Sequence, residues 1–529
     1  MRLHLVPLVL LVVGTTAFAQ TRTPGMPAAP PASPPSTTPS SGPSAAPVRE
    51  TAPAEDRLVD STHAVQIGGS EVRYTATTGT LALRNAAGKA TASIFFVAYT
   101  RNGVADARTR PLTFAYNGGP GAASIWLHMG ALGPKRVKMA ADGFQPAPPF
   151  ELVDNAESLL DVTDLVMIDP VSTGYSRAAD GENPNQFHGV RPDIESVSDF
   201  IRLYTTRFKR WPSPKYLLGE SYGTLRSAGV AEHLQSEHGI ELNGVILVSS
   251  ILDWLTRGFV SGNDLPYAAV LPTLTATAWY HKRLPADLQQ APIAKVVEEA
   301  RQFAFGEYLT TLAKGNALTP DQWKAAAAKV ARFTGLPAAY VEQANLRVTD
   351  TRFRKELLRD KRLTVGRLDG RFTGFDADAA GETQEYDPSN TAIEGAYTAL
   401  FNDYVRRELK WETDLPYQTS GNVRPWSFTD YQNRYLNLSE SLRAAMARNP
   451  YLRVLVANGY YDMATPFAAT EWTFAHLGFD PTYRQRVAMT YYEGGHMMYL
   501  HPGILRQLKE DVAAFITSTK ESRAPATNQ

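Results

Sequence analysis

From about residue 65 to residue 99, apolar and polar positions alternate, as in VQIGGSEVRYTATTGTLAL and ATASIFFVAYT. A period of two turns one face to a core and one to water. This stretch therefore predicts half-buried antiparallel strands joined by glycine turns. After Pro111 the pattern changes to short continuous apolar runs, each closed by a turn. They are LTFAYNGG (112–119), DLVMIDPV (164–171), KYLLGES (215–221), GVILVSS (244–250), RVLVANG (453–459) and RVAMTYYE (486–493). Such runs suit strands of a parallel sheet buried on both faces. Helix-like stretches lie between them, as at Asp193 to Trp211 and Tyr222 to Ser236. The alternation predicts an α/β fold: a mostly parallel central sheet with N-terminal antiparallel strands. Between about Trp254 and Pro450 the rhythm breaks. AKVVEEARQFAFGEYLTTLAKG and TPDQWKAAAAKVARFTG read as helices, so this interval predicts a helical cap insertion over the sheet's C-terminal edge.

The two ends read differently. Residues 1–19 carry a positive start, a short apolar run from Leu5 to Val13 and an Ala17-Phe18-Ala19 cleavage pattern. They predict a signal peptide, with export to the periplasm or medium and no stable membrane insertion after cleavage. The apolar run is shorter than the ~20 residues a spanning helix needs. Residues 20–54, rich in Pro, Ala, Ser and Thr, predict a disordered linker. The remaining expected divisions are the first part of the sheet core at 55–254, a mostly helical cap at 255–450, the second part of the core at 451–520, and a disordered tail at 521–529.

Composition narrows the chemistry. Lys plus Arg number 53 and Asp plus Glu number 53, for a formal net charge of zero. That removes the usual electrostatic case for a nucleic-acid partner. There is no cysteine, which excludes disulfides, thiolate metal sites and a cysteine nucleophile. No H-E-x-x-H occurs. The residues from Asp376 to Asp387 only faintly resemble a calcium loop, with Ala380 at a ligand position. No metal and no cofactor is expected. Oligomeric state is not legible.

One pentapeptide carries the chemistry. Gly219-Glu220-Ser221-Tyr222-Gly223 fits G-x-S-x-G between a predicted strand and a predicted helix. This nucleophile elbow needs a base and an orienting acid, in the chain order Ser, then Asp or Glu, then His. Asp462 follows RVLVANGYY, and His496 follows RVAMTYYEGG, each just after a late strand. Asp480 and Glu493 are competing acids nearby.

Four segments in order resemble the serine carboxypeptidases, the cathepsin A type of α/β-hydrolase. They are Asn117-Gly118-Gly119-Pro120-Gly121 with Gly133-Pro134; Asp169-Pro170-Val171 with Gly174-Tyr175-Ser176; the elbow; and Asn458-Gly459 to Asp462 with Gly495-His496-Met497. The resemblance implies an α/β-hydrolase fold and a peptide substrate cleaved from its C-terminus. It implies Ser221 as nucleophile, His496 as base and Asp462 as its orienter. The backbone N–H groups of Gly119 and Tyr222 would form the oxyanion hole, as the elbow also suggests. Asn117, Gly118 and Glu220 fall in the segments that hold the substrate's terminal carboxylate. Glu220 must be protonated to do so, which implies a raised pKa.

Two departures matter. Ala122 stands where the family has a cysteine. Ala131 stands where a second glutamate usually pairs with the one before the serine. The second departure leaves other readings open: an esterase, amidase or acyltransferase using the same triad, or a non-catalytic binding protein on a hydrolase scaffold.

Overall fold

The computed structural model describes residues 56–478 and 481–520. The expected signal peptide, linker and tail, and Asp480, lie outside the described residues.

The core is a ten-stranded sheet. Its antiparallel start is β1 (Arg57–Ile67), β2 (Ser70–Arg84) and β3 (Ala90–Arg101). Next come β4 (Leu112–Tyr116), β5 (Asp164–Ile168), β6 (Lys215–Glu220), β7 (Gly244–Val248), β8 (Arg453–Gly459) and β9 (Val487–Tyr492). The spatial order is β1-β2-β3-β5-β4-β6-β7-β8-β9, with the short strand Arg177–Ala178 on β3. From β5 to β9 every pairing is parallel. This is the expected α/β-hydrolase architecture.

Strands β4 to β7 are buried throughout, and β8 nearly so. Their residues point alternately into two apolar layers. Leu217 and Val245 pack on one face, Leu218 and Ile246 on the other. That double burial is why the runs are continuously hydrophobic. β9 differs from its expected double burial: as the sheet's edge it is only partly covered.

Helices α1 (Val190–Arg207) and α2 (Tyr222–His238) cover one face. α3 (Leu265–Tyr280), α4 (Ile293–Phe303) and α5 (Pro320–Thr334) form a cap with its own apolar core, running from Ala268 to Val365 and touching Met463. Not every helix of the interval 255–450 joins this core. α6 (Pro388–Arg407) buries Ile393, Tyr397 and Phe401 against the far face of the sheet. α7 (Ser439–Arg448) buries Leu442 and Met446 beside α2. Helical periodicity does not report which layer an apolar stripe meets, so the sequence pattern merges these helices with the cap. α8 (Pro502–Lys520) completes the far face. No helix among the described residues is long and apolar enough to cross a membrane.

Candidate active site

The site gathers at the C-terminal ends of β4, β6, β7 and β8 and in the loop after β9. Ser221 follows β6 and opens α2 with φ 60° and ψ −129°. Positive φ is costly for a serine, and such strain belongs at an elbow held by its surroundings. Here the Ser221 amide donates to Val248 O at 3.0 Å. Gly219 is required because a Cβ there would lie 2.2 Å from Gly223 O. Glycine at 118 is required as well, since its Cβ would sit 2.4 Å from the Tyr222 amide nitrogen. The Asn117–Gly119 turn thus lies directly on the elbow. Tyr222 supplies one of the uncommitted N–H groups at the start of α2. Neither it nor the Gly119 N–H has a hydrogen-bond partner among the described residues.

Asp462 and His496 meet. His496 Nδ1 lies 2.7 Å from Asp462 Oδ2, which fixes the proton on Nδ1. Asp462 Oδ1 accepts the amides of Ala464 and Thr465, and Thr465 donates its hydroxyl to Oδ2 at 2.6 Å. Burial alone would raise the Asp462 pKa, but the His496 charge and these hydrogen bonds hold it below its ordinary value. Burial alone would lower His496, but the Asp462 charge and hydrogen bond, then the Glu220 charge, raise it. Ser221 Oγ makes no hydrogen bond to His496; the end of β7 links the two segments, Val248 O accepting the Ser221 amide and the Ser249 hydroxyl donating to His496 O at 2.7 Å. Unloaded sites often show this contact long. Glu493 is exposed, and its carbonyl serves Arg371, so it is not the orienting acid seen here.

Glu220 is sealed in. It is 3% exposed. Asn117 Nδ2 donates to Oε1 at 2.8 Å and Tyr499 OH to Oε2 at 2.6 Å. Burial raises its pKa to about 7, against the His496 charge and these hydrogen bonds. Asn117 is held in turn: its Oδ1 accepts Leu127 N, and its carbonyl accepts Arg226 Nη1. Ala131 lines an apolar pocket with Leu127, Leu218, Val248 and Leu505. His128, close by in sequence, is neutral: burial drops its pKa to about 3, and it bonds Tyr99 OH at 2.6 Å.

Several functional neighbours escape sequence reasoning. Thr465 has a faint signal, an Asp followed three residues later by Thr. Tyr499 has none. Nor has the strap at 367–371, where His496 N donates to Leu368 O, Met463 N donates to Arg367 O, and Asp369 packs on Gly495. The late tyrosines are mostly packing: Tyr461 and Tyr492 are buried, and Tyr491 OH donates to Glu471. In the Asp376 to Asp387 segment, Lys355 Nζ donates to Asp376 at 2.6 Å and Asp378 accepts the amides of Ala380 and Gly381.

A sequence profile described as Serine carboxypeptidase matches residues 70–517. Carboxypeptidase sxa2 of Schizosaccharomyces pombe is 30% identical over 141 residues, 25% of this chain and 25% of that protein. The match therefore spans a quarter of that relative's length. Kex1(delta)p, a prohormone-processing carboxypeptidase from Saccharomyces cerevisiae, aligns with a TM-score of 0.56 at 15% identity. That alignment covers 84% of this chain and 92% of the yeast structure, and at this identity it speaks for the fold alone.

Proposed function

Because the chain belongs to the serine carboxypeptidase family, we propose that it releases C-terminal residues from peptides through an acyl-enzyme on Ser221. Ser221 Oγ attacks the scissile carbonyl carbon as His496 Nε2 takes its proton. Asp462 holds the imidazole by Nδ1–H and stabilises the imidazolium. The oxyanion is received by the N–H groups of Gly119 and Tyr222. His496 returns the proton to the leaving amine, and water then repeats the sequence on the acyl-enzyme. Asn117, Gly118 and Glu220 form the wall for the terminal carboxylate. Glu220, protonated below about pH 7, is a hydrogen-bond donor there.

The observation that carries this reading is the 2.7 Å Asp462–His496 pair beside a serine at φ 60°. The test is hydrolysis of a matched peptide pair, free acid against C-terminal amide, by wild type and Ser221→Ala. Cleavage of the free acid alone, lost in Ser221→Ala, is the expected result. Cleavage of both, or only of an ester, sinks the carboxypeptidase reading and leaves the triad.

One observation favours a second reading, an esterase, amidase or acyltransferase. Residue 131 faces an apolar pocket, and Asn117 and Glu220 bond to each other. Failure of Ser221 to label with a fluorophosphonate instead points to a non-catalytic binding protein. The leader at residues 1–19 supports export to the periplasm or medium, and an N-terminus read at Gln20 tests it.

A further inference from the structure

Three arginines, Arg257, Arg354 and Arg367, lie near one another beside this site, and the ion pairs they make among the described residues are with one carboxylate, Asp350. Arg257 ends the short turn Trp254–Arg257 after β7, and its side chain is 16% exposed. Its carboxylate partner, Asp350, is 3.7 Å away. Arg354 stands at the same 3.7 Å from Asp350, so one carboxylate serves two guanidinium groups. Arg257 Nη1 is buried with no hydrogen-bond partner among the described residues, and so is Ser250 Oγ. Both residues line one cleft with Thr465 and Thr470, and Thr465 is the residue bonded to Asp462 and His496.

Arg367 is the third. It is exposed and forms no ion pair with any described residue. Its carbonyl accepts Met463 N, and the next carbonyl accepts His496 N, so its backbone lies against both members of the Asp–His pair. Its charge opposes protonation of both Arg257 and His496. The neighbouring carboxylate, Asp387, is already occupied by the Arg367 amide and by the amide and hydroxyl of Ser389.

A guanidinium stays charged, and a partly buried one without a matched anion is unfavourable. Its fork of donors fits a carboxylate better than any neutral group. We infer that Arg257 and Arg367, with the Ser250 hydroxyl, form a carboxylate-receiving subsite beside the Asp462–His496 pair. The carboxylate is an acidic side chain of the peptide, since the free terminus is assigned to the Asn117, Gly118 and Glu220 wall. The inference rests on the peptidase reading of the site.

Two N-blocked peptides with a free C-terminal acid, one with Glu before the scissile bond and one with Gln there, isolate the side-chain carboxylate. Wild type should favour the Glu peptide by about tenfold or more in kcat/KM. Arg367→Gln and Arg257→Gln should bring that ratio toward one, while Arg367→Lys retains part of it. If Arg257→Gln does not fold, Arg367→Gln decides alone. A wild-type ratio near one, or a ratio untouched by the substitutions, overturns the inference. If wild type cleaves none of the peptides, the peptidase reading has failed. Fluorophosphonate labelling of Ser221 then decides: slowing by glutarate but not by glutaramide upholds the subsite, and no slowing removes it.

Discussion

Tyr499 reaches from the loop after β9 and donates a 2.6 Å hydrogen bond to Glu220 Oε2. The residue preceding the proposed nucleophile is thereby tied to the loop that carries the proposed base. A hydroxyl donating to a carboxylate favours its ionised form. Tyr499→Phe should therefore raise the Glu220 pKa above its present value of about 7. If protonated Glu220 binds the terminal carboxylate, KM for a free-acid peptide rises as pH passes 7, and Tyr499→Phe moves that rise to higher pH. A pH profile of KM and kcat for both proteins checks it; an unshifted limb assigns Tyr499 to packing alone.

Glu220 also couples pH to stability. Its pKa is raised from 4.5 to about 7, first by burial, so the folded state favours the protonated acid. Its contribution is fully present below 4.5 and is lost as pH rises through about 7. Glu220→Gln removes the ionisation. Urea unfolding at pH 5 and pH 8 should show a smaller loss of stability with pH in the variant. Equal losses in the two proteins would remove Glu220 as the source.

The Gly118 contact predicts a kinetic defect. A methyl at 118 must displace the Tyr222 amide, 2.4 Å from where it would stand. Displacing an oxyanion donor typically costs about 10²–10³ in kcat. Gly118→Ala should show that loss on an ester substrate while keeping a folded circular-dichroism spectrum. Activity within a few-fold of wild type would place the oxyanion elsewhere.

Asp462→Asn should lower kcat by about 10⁴, the usual result when the orienting acid no longer fixes the histidine tautomer. Wild-type kcat in that variant would mean that another group orients His496.

Arg226, 1% exposed, pairs with Asp193 at 2.7 Å and donates to Asn117 O at 2.6 Å. Asp193→Ala leaves that charge buried and unmatched. It should cost about 3–5 kcal/mol in urea unfolding. A loss below 1 kcal/mol would show that the Asn117 carbonyl suffices.

What the sequence made legible follows from locality. Strands β4 to β8 could be read because double burial writes an unbroken apolar run. The elbow could be read because its tight turn brings Gly219 against Gly223 O four residues on, although Gly223 itself is demanded by the distant Tyr116 and Asn117. Asp462 and His496 were reachable because each directly follows a strand in a fixed chain order. Tyr499 and Arg367 act through contacts between segments far apart in the chain, and an isolated tyrosine or arginine has no local mark for that, whereas Thr465 has a faint one, three residues after Asp462. Which helices of the interval 255–450 share a core apart from the sheet could not be read for a related reason. α6 and α7 carry the same amphipathic pattern as cap helices but lay it on the sheet.

Parallel pairing of β7 with β8 joins strands separated by roughly two hundred residues, a slow closure compared with local contacts. The serine and its oxyanion turn belong to the half of the sheet synthesised first. The acid and the histidine arrive with β8 and the loop after β9. A chain still emerging from the ribosome therefore holds the proposed nucleophile without its proposed base. The proposed triad is assembled only when the last quarter has docked, so activity is expected to track completion of the sheet and not the folding of its first half.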